Sequence, residues 1–206
     1  MADKPKQLLV EGKNELHVFS ALCMKFNVPE TFDIKSADCI TNLLMQVSPV
    51  LKRSGLETLG IVIDADYENN GKWGSLSDKL RSHGYIIPDY IPQQGLIITQ
   101  EGLPKLSVWI MPDNQSRGML EDFVNLLLPE NDKLYPIVID SLRKVKDQGL
   151  QLFIDNHHSK ALIHTWLAWQ QTPGLPMGTA ITSNFLNIEN ECCYAFIDWI
   201  NCSFNQ

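Results

Sequence analysis

The fold is decided by two stretches, Leu8-Leu9-Val10-Glu11-Gly12-Lys13-Asn14-Glu15 and, about fifty residues later, Leu59-Gly60-Ile61-Val62-Ile63-Asp64-Ala65-Asp66. Each begins with a short apolar run rich in branched side chains, which is typical of a strand covered on both faces. Each run then ends in carboxylates. Because ligands of open α/β sheets bind at the carboxyl ends of the strands, we expect these acids to meet at one site.

The segments around these two runs predict a sheet with helical crossovers. Apolar residues at helical spacing predict helices over residues 14–26, 38–51, 73–82, 134–146, 156–170 and 188–201, with a further helix that begins at residue 118. Further strands are predicted at 32–35 and 106–111, and the proline-punctuated runs 85–87 and 96–98 predict edge strands or an inserted hairpin. The alternation of strands and helices is typical of parallel strands joined by right-handed crossovers.

We therefore predict an α/β domain over residues 1–128, with a mostly parallel sheet flanked by helices. Residues 129–206 are predicted to form a helical C-terminal elaboration packed on it. No apolar stretch reaches the roughly 18 residues needed to span a bilayer, and no secretory signal is visible at the N-terminus. The five cysteines lack C-x-x-C spacing, which favours reduced thiols and a cytoplasmic location.

The chain is acidic, with 24 Asp and Glu residues against 17 Lys and Arg residues and a net charge of -7. This balance argues against a broad electrostatic grip on nucleic acid. It leaves a nuclease open, because bound metal would neutralise several of the acids. The sequence thus favours local chemistry over a basic binding surface.

Four acids at the two strand ends are the first candidates for metal ligands. Asp64 and Asp66 are two residues apart after a buried strand, so both carboxylates are expected to reach one ion. Glu11 precedes a glycine at the end of the other strand and is poorly explained by packing. Glu15 lies in the first helical turn, where an acid is also common without any ligand. Converging carboxylates repel one another, and a divalent cation such as Mg²⁺ would hold them together.

These residues resemble the Toprim domain of primases, topoisomerases and small ribonucleases, which has one Glu after the first strand and a D-x-D after a later strand. The additional acids Glu15 and Glu121 make the chain similar to the overcoming-lysogenization-defect (OLD) nucleases, whose Toprim sites bind two metals. Small bacterial Toprim proteins of unassigned function also look similar over nearly the whole chain. The matching segments are Met111-Pro112-Asp113-Asn114, Gly118-Met119-Leu120-Glu121, and Lys160 with His164-Thr165-Trp166-Leu167-Ala168-Trp169.

The resemblance implies Mg²⁺- or Mn²⁺-dependent cleavage of DNA or RNA. In this interpretation Asp64 and Asp66 hold the metal, and Glu11 is a metal ligand or a general acid-base. Glu15 and Glu121 complete a second metal position, and Lys160 steadies the charge of the transition state. Lys160 is explained equally well as an exposed surface residue. Asp113, which follows the strand at 106–111, is explained equally well by a role in a turn. Core packing is the simpler explanation for Trp166 and Trp169.

Other interpretations fit less well. A haloacid-dehalogenase phosphatase needs Thr or Val after its second Asp, where this chain has Tyr67. A response-regulator receiver needs adjacent acids after its first strand, and a Rossmann site needs a glycine fingerprint. The stronger alternative is a Toprim module that binds metal and nucleotide without cleaving. Such a module would act as the partner of a separate ATPase or nucleic-acid-processing protein.

Overall fold

The computed structural model describes residues 4–66 and 71–206 and has a five-stranded sheet at its centre. The strands are β1 (Lys6–Val10), β2 (Asp33–Ser36), β3 (Thr58–Asp64), β4 (Leu96–Ile98) and β5 (Lys105–Met111). They lie side by side in the order β2-β1-β3-β5-β4, and only β4 runs antiparallel to its neighbour. The predicted α/β class with a mostly parallel sheet is confirmed.

Helices cover both faces of this sheet. In chain order they are α1 (Lys13–Lys25), α2 (Ile40–Leu51), α3 (Gly71–Ser82), α4 (Leu120–Asn125), α5 (Tyr135–Asp147), α6 (His158–Ala168), α7 (Met177–Thr182) and α8 (Glu191–Phe204), with a short 3-10 turn at Asp155–His157. One face packs against α2 and α3, and the other packs against α1 and the helices from α4 onward. No helix in the described part of the chain is both long and apolar enough to cross a membrane.

The C-terminal helix α8 lies directly on the sheet. The ring of Phe204 approaches the backbone of Gly60 in β3 so closely that a Cβ at Gly60 would lie 2.5 Å from the Cζ atom. Trp199, also in α8, packs against Trp109 of β5 with 5.7 Å between the ring centroids. The absence of a side chain at Gly60 therefore lets the C-terminal helix pack against the strand that carries Asp64.

The predicted division of the chain at residue 128, between an α/β domain and a helical C-terminal elaboration, stays a prediction.

One local prediction is wrong, and one short helix was not predicted. Residues 85–87 form no strand, because the Gln100 side chain makes the hydrogen bonds that a neighbouring strand would make: its Oε1 accepts from Ile86 N and its Nε2 donates to the Gly84 carbonyl. Helix α1 begins at Lys13, one residue before the predicted start at position 14. The short helix α7 was not predicted; its Gly178 lies close to the backbone of His17 in α1, a tertiary contact that local pattern does not encode.

Candidate metal centre

Four carboxylates from different elements meet where the strands end. Glu11 follows β1, Asp64 is the last residue of β3, and Glu15 and Glu121 lie in the first turns of α1 and α4. Strands β1 and β3 pair in parallel with Val10 opposite Val62, so their ends lie at the same sheet edge. Glu11, Glu15 and Glu121 all act electrostatically on Asp64. The structure therefore brings together four of the five acids predicted as metal ligands.

Backbone hydrogen bonds fix two of these carboxylates. The backbone N–H of Asp64 donates to Oε1 of Glu11 over 2.9 Å. The backbone N–H of Leu120, at the start of α4, donates to Oδ1 of Asp64 over 3.0 Å. One chain of contacts thus links the end of β1, the end of β3 and the beginning of α4, and it sets the spacing of the acids before any ligand binds.

The fifth acid, Asp66, reaches the site by a different route from the predicted one. It lies beyond the end of β3 with φ of 56°, so strand alternation does not set the direction of its side chain. Its backbone forms a bridge with Gly118, and its N–H donates to the Gly118 carbonyl over 2.8 Å. The loop that precedes α4 therefore holds Asp66 in place. We call Glu11, Glu15, Asp64, Asp66 and Glu121 the carboxylate cluster.

Lys72, in the first turn of α3, joins two members of the cluster. Its Nζ lies 2.9 and 3.0 Å from the two carboxylate oxygens of Glu11 and 2.8 Å from Oδ2 of Asp66. Lys72 was not among the predicted site residues. The signal was its position, because a cation in the first turn of a helix opposes the helix dipole and needs some compensating anion nearby.

Lys160 and Glu121 form the second ion pair of the site. The Nζ atom of Lys160 lies 3.3 Å from Oε1 of Glu121, whose side chain is almost fully buried while that of Lys160 is half exposed. The adjacent Asp122 turns away and accepts hydrogen bonds from the N–H of Met119 and the hydroxyl of Ser159. Lys160 therefore lies beside one of the predicted metal ligands, Glu121.

Gly12 makes room for Glu15. A Cβ at position 12 would lie 2.7 Å from Oε2 of Glu15, so the Glu15 carboxylate occupies the space that a side chain at position 12 would fill. The carboxylate folds back toward the strand end because no side chain is in its way. Gly12 therefore positions Glu15 beside Glu11.

Burial, and after it the charges of neighbouring acids, raise the pKa values of two acids in the site. Burial raises the pKa of Asp64 well above its ordinary value of 3.8, and the charges of Glu11 and Glu15 raise it further, opposed by Lys72. Burial likewise raises the pKa of Glu15 from 4.5, with contributions from Glu121 and Glu11. The site as it stands holds more negative charge than its two lysines balance.

The donor chemistry of the carboxylate cluster fits a hard divalent cation. Mg²⁺ and Mn²⁺ favour carboxylate oxygens, and all five acids supply them. The Lys72 ammonium already lies between Glu11 and Asp66, where it does electrostatically what a cation would do. Within residues 4–66 and 71–206, however, no three His, Cys, Asp or Glu side chains surround a common point as ready-made ligands. Metal binding would therefore require rearrangement of side chains, with Lys72 the first to move.

The pKa shifts predict how the stability of the metal-free protein depends on pH. Asp64 and Glu15 bind protons more readily in the folded than in the unfolded chain, so the folded state loses stability as pH rises through their raised pKa values. We expect the midpoint of thermal unfolding in EDTA to fall between about pH 5 and about pH 7.5. Magnesium should raise the midpoint more at the higher pH. A midpoint in EDTA that instead rises over this range would contradict the raised pKa values of Asp64 and Glu15.

The remaining predicted candidates lie elsewhere. The Asp113 carboxylate accepts hydrogen bonds from the N–H groups of Gln115 and Ser116, which is the turn role. Trp166 is buried in the core, as predicted, whereas Trp169 is about half exposed. None of the three contributes to the carboxylate cluster.

Comparison with known proteins gives one match. A family model described as "Protein of unknown function (DUF3226)" matches residues 5–205, which is nearly the whole chain. No curated protein and no solved structure matches the sequence.

Proposed function

The chain belongs to the DUF3226 family, and we propose that it is a metal-dependent phosphodiesterase that hydrolyses nucleic acid at the carboxylate cluster. The observation that carries this proposal is the gathering of acids from β1, β3, α1 and α4 at one sheet edge, despite their mutual repulsion. Such an arrangement costs stability in the absence of a ligand. A divalent cation is the ligand whose charge and oxygen preference remove that cost.

We further propose that the site is of the Toprim type. The supporting features are a Glu directly after the first strand and a D-x-D whose first Asp is the last residue of a neighbouring parallel strand. Asp64, Asp66 and Glu11 would hold the first metal, and Glu15 and Glu121 would hold a second. The bound metal would supply Lewis acidity and an activated water for attack on phosphorus.

The protein groups would bind and position the substrate phosphate. Lys160, half exposed beside Glu121, is placed to offset the negative charge that develops on the phosphate oxygens. Lys72 would offer a second positive charge once a metal has taken its place between Glu11 and Asp66. The Glu11 carboxylate, held by the Asp64 N–H, would accept a proton in this mechanism if it does not bind the metal.

A cleavage assay tests this function directly. Purified protein is incubated with single- and double-stranded DNA and RNA in Mg²⁺, Mn²⁺ or EDTA, beside an Asp64→Ala/Asp66→Ala variant. We expect cleavage that requires metal and is lost in the variant. Cleavage that persists in EDTA would contradict the mechanism.

A second function is favoured by the charge of the chain. A net charge of -7 gives little general attraction for nucleic acid, which suits a module that depends on a partner such as a separate ATPase. Manganese binding by the wild type but not by the variant, with no turnover on any substrate, would favour this non-cleaving function. Turnover by the isolated protein would exclude it.

Replacement of Lys72 tests whether the ammonium competes with the metal. In Lys72→Met, the oxygens of Glu11 and Asp66 lose their internal cation, so we expect Mn²⁺ to bind roughly tenfold more tightly, which is about 1.4 kcal/mol. Isothermal titration calorimetry with Mn²⁺ measures the change. Lys79→Met, in the last turn of the same helix, is the matched control and should bind Mn²⁺ as the wild type does. Weaker binding by Lys72→Met would mean that Lys72 supports the metal site rather than competing for it.

A further inference from the structure

A cleft of about 340 Å³ opens beside the carboxylate cluster, on the side of β3 that faces β5. Asp64 and Asp66, which belong to the carboxylate cluster, line this cleft, and so does Lys72, which is paired with the cluster. Its other walls come from the beginning of α3, from the loop around residue 90, and from the loop that follows β5. A molecule held in the cleft would therefore lie next to the oxygens that are proposed to bind metal.

The loop around residue 90 presents an aromatic ring to this cleft. Tyr90 lines the cleft and is 80% exposed. The loop is tied to α3, because the indole Nε1 of Trp73 donates to the carbonyl of Asp89 over 3.1 Å. An exposed ring on an anchored loop offers a stacking face without burying a polar group, and such faces bind bases of any sequence.

Two cations, Lys72 and Arg117, line the cleft together with the carboxylates of Asp64, Asp66 and Asp89. Lys72 reaches the cleft from α3, and Arg117 reaches it from the loop before α4. Its volume is at the lower end of the range for small-molecule sites, which suits one nucleotide and excludes a duplex. The net charge of -7 gives little general attraction for a long nucleic-acid backbone. Recognition must then come from a few local contacts.

We propose that this cleft binds one unpaired nucleotide next to the scissile phosphate, with its base stacked on Tyr90 and its phosphate near Lys72 and Arg117. This inference rests on the proposed function and names its substrate class: single-stranded nucleic acid, or an unpaired end. Stacking on Tyr90 would hold a base of any identity. A preference for ribose or deoxyribose would come from other contacts, which differ between RNA and DNA. The two single-stranded forms therefore become separate arms of the test.

The test measures binding of labelled oligonucleotides by fluorescence anisotropy. The probes are single-stranded ribo- and deoxyribo-octamers and a blunt duplex, in buffer with Ca²⁺ so that binding is recorded without turnover. We expect the wild type to prefer a single strand, and Tyr90→Ala to weaken that binding by about 5- to 150-fold. Tyr90→Phe, which keeps the ring, should stay within about twofold of the wild type.

The control is Ile86→Ala, because Ile86 is 81% exposed on the same connection but does not line the cleft. This variant should bind as the wild type does. The proposal is overturned if Tyr90→Ala binds single strands normally, if Ile86→Ala weakens binding equally, or if the duplex binds as tightly as the single strand. The single strand that binds more tightly, RNA or DNA, shows which sugar the site prefers.

This test can fail independently of the proposed function. If the protein cleaves nucleic acid and Tyr90→Ala leaves both KM and kcat unchanged, the nucleotide site is wrong and the phosphodiesterase stands. If single strands bind through Tyr90 but no metal supports cleavage, the nucleotide site stands and the phosphodiesterase is wrong. If both are correct, Tyr90→Ala should raise KM with a smaller change in kcat.

Discussion

An Asp64→Asn protein is expected to lose cleavage by roughly 1,000-fold, which corresponds to about 4 kcal/mol in the activation barrier. The amide has the same shape as the carboxylate and keeps an oxygen that can accept from the Leu120 N–H. It lacks the charge that a divalent cation requires. The variant therefore removes one property of the site, its negative charge, while it preserves the link between β3 and α4.

The same substitution should stabilise the metal-free protein. Burial and the neighbouring acids raise the pKa of Asp64 because they disfavour its ionised form, and the amide is never ionised. We expect the free energy of unfolding in EDTA to rise by about 1–2 kcal/mol at neutral pH, a gain typical of relieving a strained functional site. Urea unfolding followed by circular dichroism, with and without Mg²⁺, measures it. Mg²⁺ should stabilise the wild type and leave Asp64→Asn nearly unchanged.

Asp113→Asn is the matched control, because its expected effect on stability has the opposite sign. Partial burial raises the pKa of Asp113, but hydrogen bonds from the N–H and hydroxyl of Ser116 outweigh it and lower the pKa below its ordinary value. Loss of that charge should therefore leave stability equal or lower, with cleavage retained. If Asp64→Asn still cleaves, the metal site lies elsewhere. If Asp64→Asn is less stable than the wild type, the acids do not repel one another as proposed.

The central strands and their acids could be predicted because the signal is local. Apolar runs that end in Glu11 and in Asp64 mark buried strands directly, and parallel pairing then puts the two residues side by side. Glu15 follows from its position in the first turn of α1. For these residues, the sequence next to each one contained what the prediction needed.

The rest of the site depends on contacts between distant segments. Asp66 is held by Gly118, fifty-two positions away, with a left-handed φ that strand alternation does not predict. The partnership of Lys72 with Glu11 joins residues 61 positions apart. The cleft likewise combines loops around residues 90 and 117 with the end of β3. No window of neighbouring residues contains these relations, which is why local patterns singled out the acids and missed Lys72, the cation between them.

Truncation of Phe196 in α8 is expected to destabilise the protein by about 3–5 kcal/mol, the usual cost of removing a large ring from a packed core. Phe196 is fully buried, and its ring lies 4.7 Å from Phe19 of α1, 5.4 Å from Trp109 of β5 and 6.0 Å from Phe123 of α4. One ring therefore joins the C-terminal helix to a strand and to both helices whose first turns carry cluster acids. Urea unfolding of Phe196→Ala measures the loss, and Tyr194→Ala, which is half exposed on the same helix, should cost far less.

The number of steps in the unfolding transition shows whether the C-terminal helices unfold together with the sheet. Because α8 shares its core with β5, α1 and α4, we expect residues 129–206 to unfold together with the α/β part, in wild type and variant alike. Circular dichroism and tryptophan fluorescence should then give coincident transitions. If Phe196→Ala instead unfolds in two steps, and the first step leaves Mn²⁺ binding intact, α8 is an accessory layer and the acids are held by the sheet alone. Coincident loss of fold and metal binding would make the C-terminal helices part of what forces the acids together.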